Sequence, residues 1–247
     1  MTPRSPARRP GVSDNKSILL DVPRFSQPDA VTCGPTCLAK VYDYYGYEKA
    51  LDDIIVETPR NPDGGTLAVN LGISALKNGF RPTLYPFGLR IFDPTWRRLP
   101  RRELIRKLEE RCQAVSGKRF RRAVSAYIGY LNLGGRIAFV EPTKELLAGL
   151  LRRGHPVLTG LSATHLYRTP REYEDQYDDV RGEPAGHFVV IAGYHPPRDK
   201  FVVVDPFENV PFNKTGKYQV DAQRLIAAIL LGDVTYDAVL LVVGRRR

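Results

Sequence analysis

An α+β fold is predicted by the way helix and strand signals segregate along this 247-residue chain. Helical periodicity dominates the first half, whereas β-branched runs bounded by turn residues dominate after Pro156. The two do not alternate as βαβ units would. Helices packed on a mainly antiparallel sheet are therefore expected, rather than helices wrapped around a parallel one.

Each element has its own local signal. Residues 1–16 are basic and rich in Pro and Ser, which predicts a disordered tail. No apolar run follows that would make them a secretory signal. "SILLDVPRFSQ" reads as an extended lead-in that ends at Pro28. From Gly34 onward, Cys37, Leu38, Val41, Tyr42 and Tyr45 recur at helical spacing, and Gly46 supplies a stop. Two more helices are predicted over "YEKALDDIIVET" and "GGTLAVNLGISALKNGF", the latter closed by Asn78-Gly79, and a strand follows over "RPTLYPF". Basic helices are expected near 100–115 and 118–131, then a strand over "GRIAFVEPT". The helix "KELLAGLLRRG" carries cations in its last turn, where the macrodipole favours them. The strands "PVLTGLSA", "GHFVVIAGY", "KFVVVDPF", "KYQV" and "DAVLLVVG" complete the chain, interrupted by the helix "DAQRLIAAILLG". Residues 17–247 read as one domain.

Composition narrows the function classes. The chain carries 37 Lys and Arg against 27 Asp and Glu, and much of the excess lies in the first ten residues, the last three and 96–122. No helix-turn-helix, RNP-like or zinc-finger pattern accompanies that charge, so it reads as solvated tails and a helix face rather than a nucleic-acid site. The apolar runs "LIAAILLG" and "AVLLVVG" are short and are separated by Asp233 and Asp237, which predicts no membrane span. Three cysteines give no disulfide framework, and the odd count suits a reducing, cytoplasmic setting.

Three segments carry the chemistry. In "TCGPTC" (32–37), Cys33 falls at the edge of a predicted helix, where free backbone N–H groups and the positive dipole end favour a thiolate. Pro35 suits the first turn, and Gly34 leaves room for a substrate backbone. His187 opens a strand in "GHFVV" and is placed to act as general base. Asp205 ends the next strand in "VVVDP". Neighbouring antiparallel strands would bring its carboxylate to the imidazole, fixing the tautomer as the third member of a triad does. Gln27, six positions before Cys33, could join the Cys33 backbone N–H as an oxyanion donor.

This set resembles the papain-like cysteine peptidases of the C39 type, known as domains that remove leader peptides from bacteriocin precursors. "QPDAVTCGPTCL", "GHFVVIAGY" and "VVVDP" match the family's Gln before Cys-Gly, its Gly-His strand start and its Asp-Pro. The resemblance implies a papain-like fold with Cys33 as nucleophile, His187 as base, Asp205 as its orienter and Gln27 as oxyanion donor. The interval from Cys33 to His187 is longer than in the transporter-linked domains, which implies insertions near 85–130 and 163–185. No transporter segment is present, so a double-glycine leader is not the expected substrate.

The expected activity is that of a cysteine peptidase or amidase acting through a Cys33 thioester, with no cofactor and no metal. A papain-fold acyltransferase or peptide-ligating enzyme, and a catalytically silent peptide-binding module, are the alternatives. Cys37 and Cys112 are expected to pack in the core. A Cys33–Cys37 disulfide has poor geometry, and a zinc site of Cys33, Cys37 and His187 lacks a second close ligand pair. His155 and His195 are read as exposed bystanders. The loop 163–185, which begins near His165, is tyrosine-rich and acidic. It is either a surface insertion or a lid, and as a lid its Glu172, Asp175, Asp178 and Asp179 would favour a basic or amine-bearing substrate.

Overall fold

The computed structural model describes residues 16–62, 64–174, 176–232 and 238–245. The tail expected at 1–16 lies outside the described residues except for Lys16, as does Asp175. A short strand β1 (Ile18–Leu19) leads to α1 (Cys33–Tyr44), α2 (Leu51–Glu57) and α3 (Ala68–Lys77). Then come β2 (Arg81–Pro86), a 3-10 turn at Pro94–Arg98, α4 (Arg101–Ala114), α5 (Lys118–Asn132), β3 (Arg136–Ile137) and α6 (Lys144–Arg152). The remainder is β4 (Val157–Ser162), α7 (Ala163–Tyr167), the hairpin β5 (Glu172–Tyr173) and β6 (Gln176–Tyr177), β7 (Gly186–His195), β8 (Lys200–Val204), β9 (Lys217–Asp221), α8 (Ala222–Leu231) and β10 (Val239–Gly244).

One sheet organises the chain, in the order β3-β2-β10-β4-β7-β8-β9, with β1 also paired to β7. Every pairing is antiparallel except β2 with β3. The sheet draws β2 and β3 from the helical first half, so the two halves share a single layer. The strand expected over "GRIAFVEPT" shortens to two residues, because Ala138 gives the last backbone bond to β2, at the Leu84 carbonyl (2.9 Å).

Both sheet faces are covered, which is why β4, β7 and β10 read as nearly continuous apolar runs. Alternate residues separate cleanly. Leu158, Val190, Ala192, Leu241 and Val243 join a core with α1, α3, α4 and α5, while Val157, Val189, Ile191, Leu240 and Val242 join one with α6 and α8. Each such Val, Leu or Ile side chain contributes about 1.5–3 kcal/mol by leaving water. Tyr42 of α1 stacks on Phe80 at 4.6 Å between ring centroids, fixing the helix against the start of β2. Gly46, at φ 71°, turns the chain out of α1 as its position predicts.

Two features aim this frame at one end of the sheet. The β7–β8 register pairs Val190 with Val204, which sets Asp205 beyond the end of β8 and beside the opening turn of β7. At Gly34 an added Cβ would come within 2.7 Å of Thr66 and 3.3 Å of Phe188, so only glycine lets α1 start this close to β7.

Candidate active site

Residues from α1, β7 and the end of β8 meet at that sheet end. Cys33 is the first residue of α1 and half-buried. Thr32 caps the helix without a side-chain bond, and Thr36 returns both its N–H (3.0 Å) and its hydroxyl (2.8 Å) to the Thr32 carbonyl. The Cys33 and Gly34 N–H groups therefore lie in the first turn, where no intrahelical carbonyl reaches them. One turn on, Cys37 is fully buried and gives its thiol to the Phe188 carbonyl at 3.3 Å. Burial pushes that thiol well above the ordinary range. Cys37 thus packs as its spacing predicts, and the half-buried Cys112 packs against the same core.

His187 and Asp205 are both buried. His187 Nε2 lies 2.8 Å from Asp205 Oδ1, and Cys33 is near enough to act on the charge of its ring. With Nε2 committed to the carboxylate, Nδ1 is the nitrogen left for the thiol. Burial by itself would lower the imidazole pKa, but the Asp205 charge, the Asp205 hydrogen bond and Cys33 outweigh it and raise it to about 10. Burial likewise opposes ionisation of Asp205, yet the His187 charge and the hydrogen bonds around the carboxylate hold it below the usual range.

Asp205 accepts more than the sequence suggests. Besides His187, its Oδ1 takes the Phe207 N–H at 2.9 Å. Its Oδ2 takes the hydroxyls of Tyr167 (2.8 Å) and Tyr218 (2.7 Å). Burial first, and then the neighbouring carboxylate, pushes both phenols far above their ordinary value, so they remain donors. Neither tyrosine was expected here: Tyr167 stands in the stretch read as a loop, which instead forms α7 and a small hairpin, and Tyr218 lies in an ordinary-looking strand.

Gln27 is tethered on both sides. Its backbone N–H donates to the Pro206 carbonyl at 2.9 Å, and its Nε2 donates to the Asp29 carbonyl at 2.7 Å. The latter contact fixes which side-chain atom is nitrogen, and it leaves Oε1 buried without a partner. One Nε2 hydrogen remains for another acceptor.

Cys33 and His187 line a cavity of about 230 Å³ together with Ala30, Val31, Thr66 and Arg119. No described residue of 163–185 lines it. A larger cavity of about 730 Å³ is lined by Asp205, Phe25 and Phe207. Among the described residues no three His, Cys, Asp or Glu side chains cluster as a metal site would require, and no helix is long and apolar enough to cross a membrane.

Two of the remaining histidines differ from expectation. His155 is half-buried rather than exposed, since its Nδ1 meets the Tyr45 hydroxyl at 3.1 Å. Burial, together with Arg153 and Arg245, lowers its pKa. His195 ends β7 partly buried, and His165 is exposed on α7.

The fold that these elements build is that of the papain-like cysteine peptidases. In sequence, residues 112–227, which include His187 and Asp205 and begin after Cys33, match the family model described as "Peptidase_C39 like family". A protein from Bacillus anthracis described as a C39-like peptidase superposes with a TM-score of 0.51 at 16% identity, covering 94% of this chain and 100% of that one. Xylellain, a cysteine protease from Xylella fastidiosa, gives 0.48 at 14% identity over 94% and 86%. A double glycine motif protease from an AMS/PCAT transporter, solved with its leader peptide, gives 0.45 at 15% over 91% and 92%. No curated protein matches the chain.

Proposed function

We propose that this protein is a cysteine peptidase or amidase in which Cys33 attacks, His187 moves the proton, Asp205 orients His187, and Gln27 helps hold the oxyanion. The observation that carries this reading is the 2.8 Å bond from Asp205 Oδ1 to His187 Nε2, with His187 and Cys33, the first residue of a helix, lining one cavity. The thiol proton passes to His187 Nδ1 as sulfur bonds to the scissile carbonyl carbon. The oxyanion then takes the Cys33 N–H and the remaining Nε2 hydrogen of Gln27, a type of donor worth about 2.7–4 kcal/mol. The C–N bond breaks, the leaving amine takes the proton from His187, and a Cys33 thioester remains. Water gives a proton back to His187 and attacks the thioester. Collapse releases a carboxylic acid and restores the thiol.

Water is the favoured acceptor because no described residue of 163–185 lines the cavity that would hold the thioester. The same fact bears on the substrate. A basic or amine-bearing substrate follows from an acidic lid, whereas the described cavity lining carries one charged side chain besides His187, that of Arg119. It stands in the first turn of α5 with Lys118, Arg121 and Arg122 beside it. Residues 17–247 act as one catalytic domain in this reading, with 85–130 and 163–185 as additions to it.

The test is cleavage of an unbiased peptide mixture followed by mass spectrometry. Products that appear with the intact protein and vanish in Cys33→Ala support the reading. An absence of products, with Cys33 no more reactive than a surface thiol, would favour the silent binding module. Ligated rather than hydrolysed products would favour acyl transfer to an amine.

A further inference from the structure

Lys40 is the one charged residue in α1 that is fully buried, with a relative exposure of 0%. It follows Cys33 and Cys37 at the i, i+4, i+7 spacing of one helix face. No carboxylate lies within ion-pairing distance of it among the described residues. Its Nζ donates to the Phe25 carbonyl at 2.5 Å and sits 4.9 Å from the centroid of the Phe25 ring. A buried ammonium held by one carbonyl and one aromatic face is expensive to keep in a core. Methionine or leucine would fill the same place without that cost, so the charge itself calls for a reason.

The surroundings supply one. Phe25 belongs to the strap 24–27 that crosses the end of β8. Arg24 donates to the Thr215 carbonyl (3.2 Å), and the Gln27 N–H donates to the Pro206 carbonyl (2.9 Å). Phe25 and Asp205 line the same 730 Å³ cavity. The charged and titratable groups that Lys40 feels are Cys37 on its own helix, Asp205 from the end of β8 and Arg24 from the strap. Burial lowers its pKa, and the first two of these groups oppose that effect.

We propose that Lys40 is a positioning residue for this site: its buried ammonium is a counter-charge behind the Cys33–His187 pair, and it anchors the strap that carries Gln27. This rests on the function proposed above. With a thiolate and an imidazolium formed, the buried site holds two negative charges, on Cys33 and Asp205, and two positive ones, on His187 and Lys40. Without Lys40 the same state carries a net negative charge in a medium where charge is poorly screened. Proton transfer from Cys33 to His187 then becomes less favourable.

The experiment compares iodoacetamide alkylation of Cys33 with that of Cys112, an internal reference on α4, at pH 6 and pH 9 by peptide mass spectrometry. Lys40→Met removes charge and donor together; Lys40→Gln keeps an N–H for Phe25 and removes the charge; Lys40→Arg keeps the charge. The expected result is a Cys33-to-Cys112 rate ratio about tenfold lower at pH 6 in Lys40→Met and Lys40→Gln. At pH 9 it returns to within about twofold of wild type, and Lys40→Arg stays close to wild type throughout. If Lys40→Met does not fold, Lys40→Gln carries the comparison. A ratio unchanged at pH 6, or lowered equally at both pH values, assigns Lys40 a packing role and overturns the proposal while leaving the proposed function intact. A wild-type Cys33 no faster than Cys112 at pH 6 overturns both.

Discussion

The two sides of the candidate site are built to different standards. On the His187–Asp205 side every carboxylate oxygen is taken: Oδ1 accepts from His187 and Phe207, and Oδ2 from Tyr167 and Tyr218. On the Cys33–Gln27 side the groups are left spare. The first N–H groups of α1 have no helical acceptor, Gln27 Oε1 is buried without a partner, and one Nε2 hydrogen is uncommitted. A group that must hold one charge state through a reaction profits from saturation, because each hydrogen bond to the ionised form stabilises it. A group that must receive a substrate's developing charge profits from vacancy, since donors already in place need no reorganisation. The contrast is what the proposed division of labour between orienting and attacking residues requires.

The steepest way to break the contrast is to remove the attacking atom or the base. Cys33→Ala is expected to abolish turnover, and His187→Ala to lower it by a comparable factor, since members of such a unit fail together. Both are read as product formed on the peptide mixture. Asp205→Asn comes next. It leaves shape intact but offers His187 an amide, and tautomer control of this kind is worth on the order of 10⁴ in kcat in a serine triad. If Asp205→Asn retains wild-type turnover, saturation of that carboxylate serves folding alone.

Smaller effects sharpen the comparison. Tyr167→Phe and Tyr218→Phe each delete one hydrogen bond to a buried charge, with an expected loss of about 1.5–3 kcal/mol in urea unfolding. The two losses should not add, because both hydroxyls meet the same oxygen. An equivalent substitution on the spare side, Gln27→Leu, is expected to leave stability within about 1 kcal/mol and to act on kcat instead. A reversal of this pattern would mean that the vacant side is a folding element.

The mildest test is pH. His187 is held near pH 10 in the fold against about 6.5 in an unfolded chain. Its contribution to stability is therefore complete below about pH 6.5 and is lost as pH rises through about 10. Asp205 is held below its ordinary value, so its contribution is present above about pH 3.9 and is lost as pH falls through its folded value. Thermal unfolding should accordingly show Tm declining from pH 7 to 10 in wild type, and declining less in His187→Gln.

Much of the candidate site was legible in sequence because Cys33, His187 and Asp205 each stand at the edge of an element, where periodicity changes and a side chain is free of its own helix or strand. The α1 helix followed from hydrophobic period, and the buried strands β4, β7 and β10 from β-branched runs bounded by turn residues, so their segregation into an α+β chain was readable. Tyr167 and Tyr218 were not legible, since a tyrosine meeting a buried carboxylate looks like any other tyrosine until the tertiary fold brings them together. Lys40 carried a weak signal, a lysine on the buried face of a helix whose other members are apolar. Strand β3 is shorter than its sequence predicts because its apolar residues pack beside the sheet edge without extending the ladder. The 163–185 loop was read for its charge, and charge does not reveal which cavity a loop borders.

The most direct test of the central claim is the alkylation rate of Cys33 relative to Cys112 between pH 5 and 9, in wild type and in His187→Ala. A linked pair of Cys33 and His187 predicts fast, selective alkylation of Cys33 at pH 6 that is lost when His187 is removed. A Cys33 that reacts like Cys112 in both proteins would contradict it.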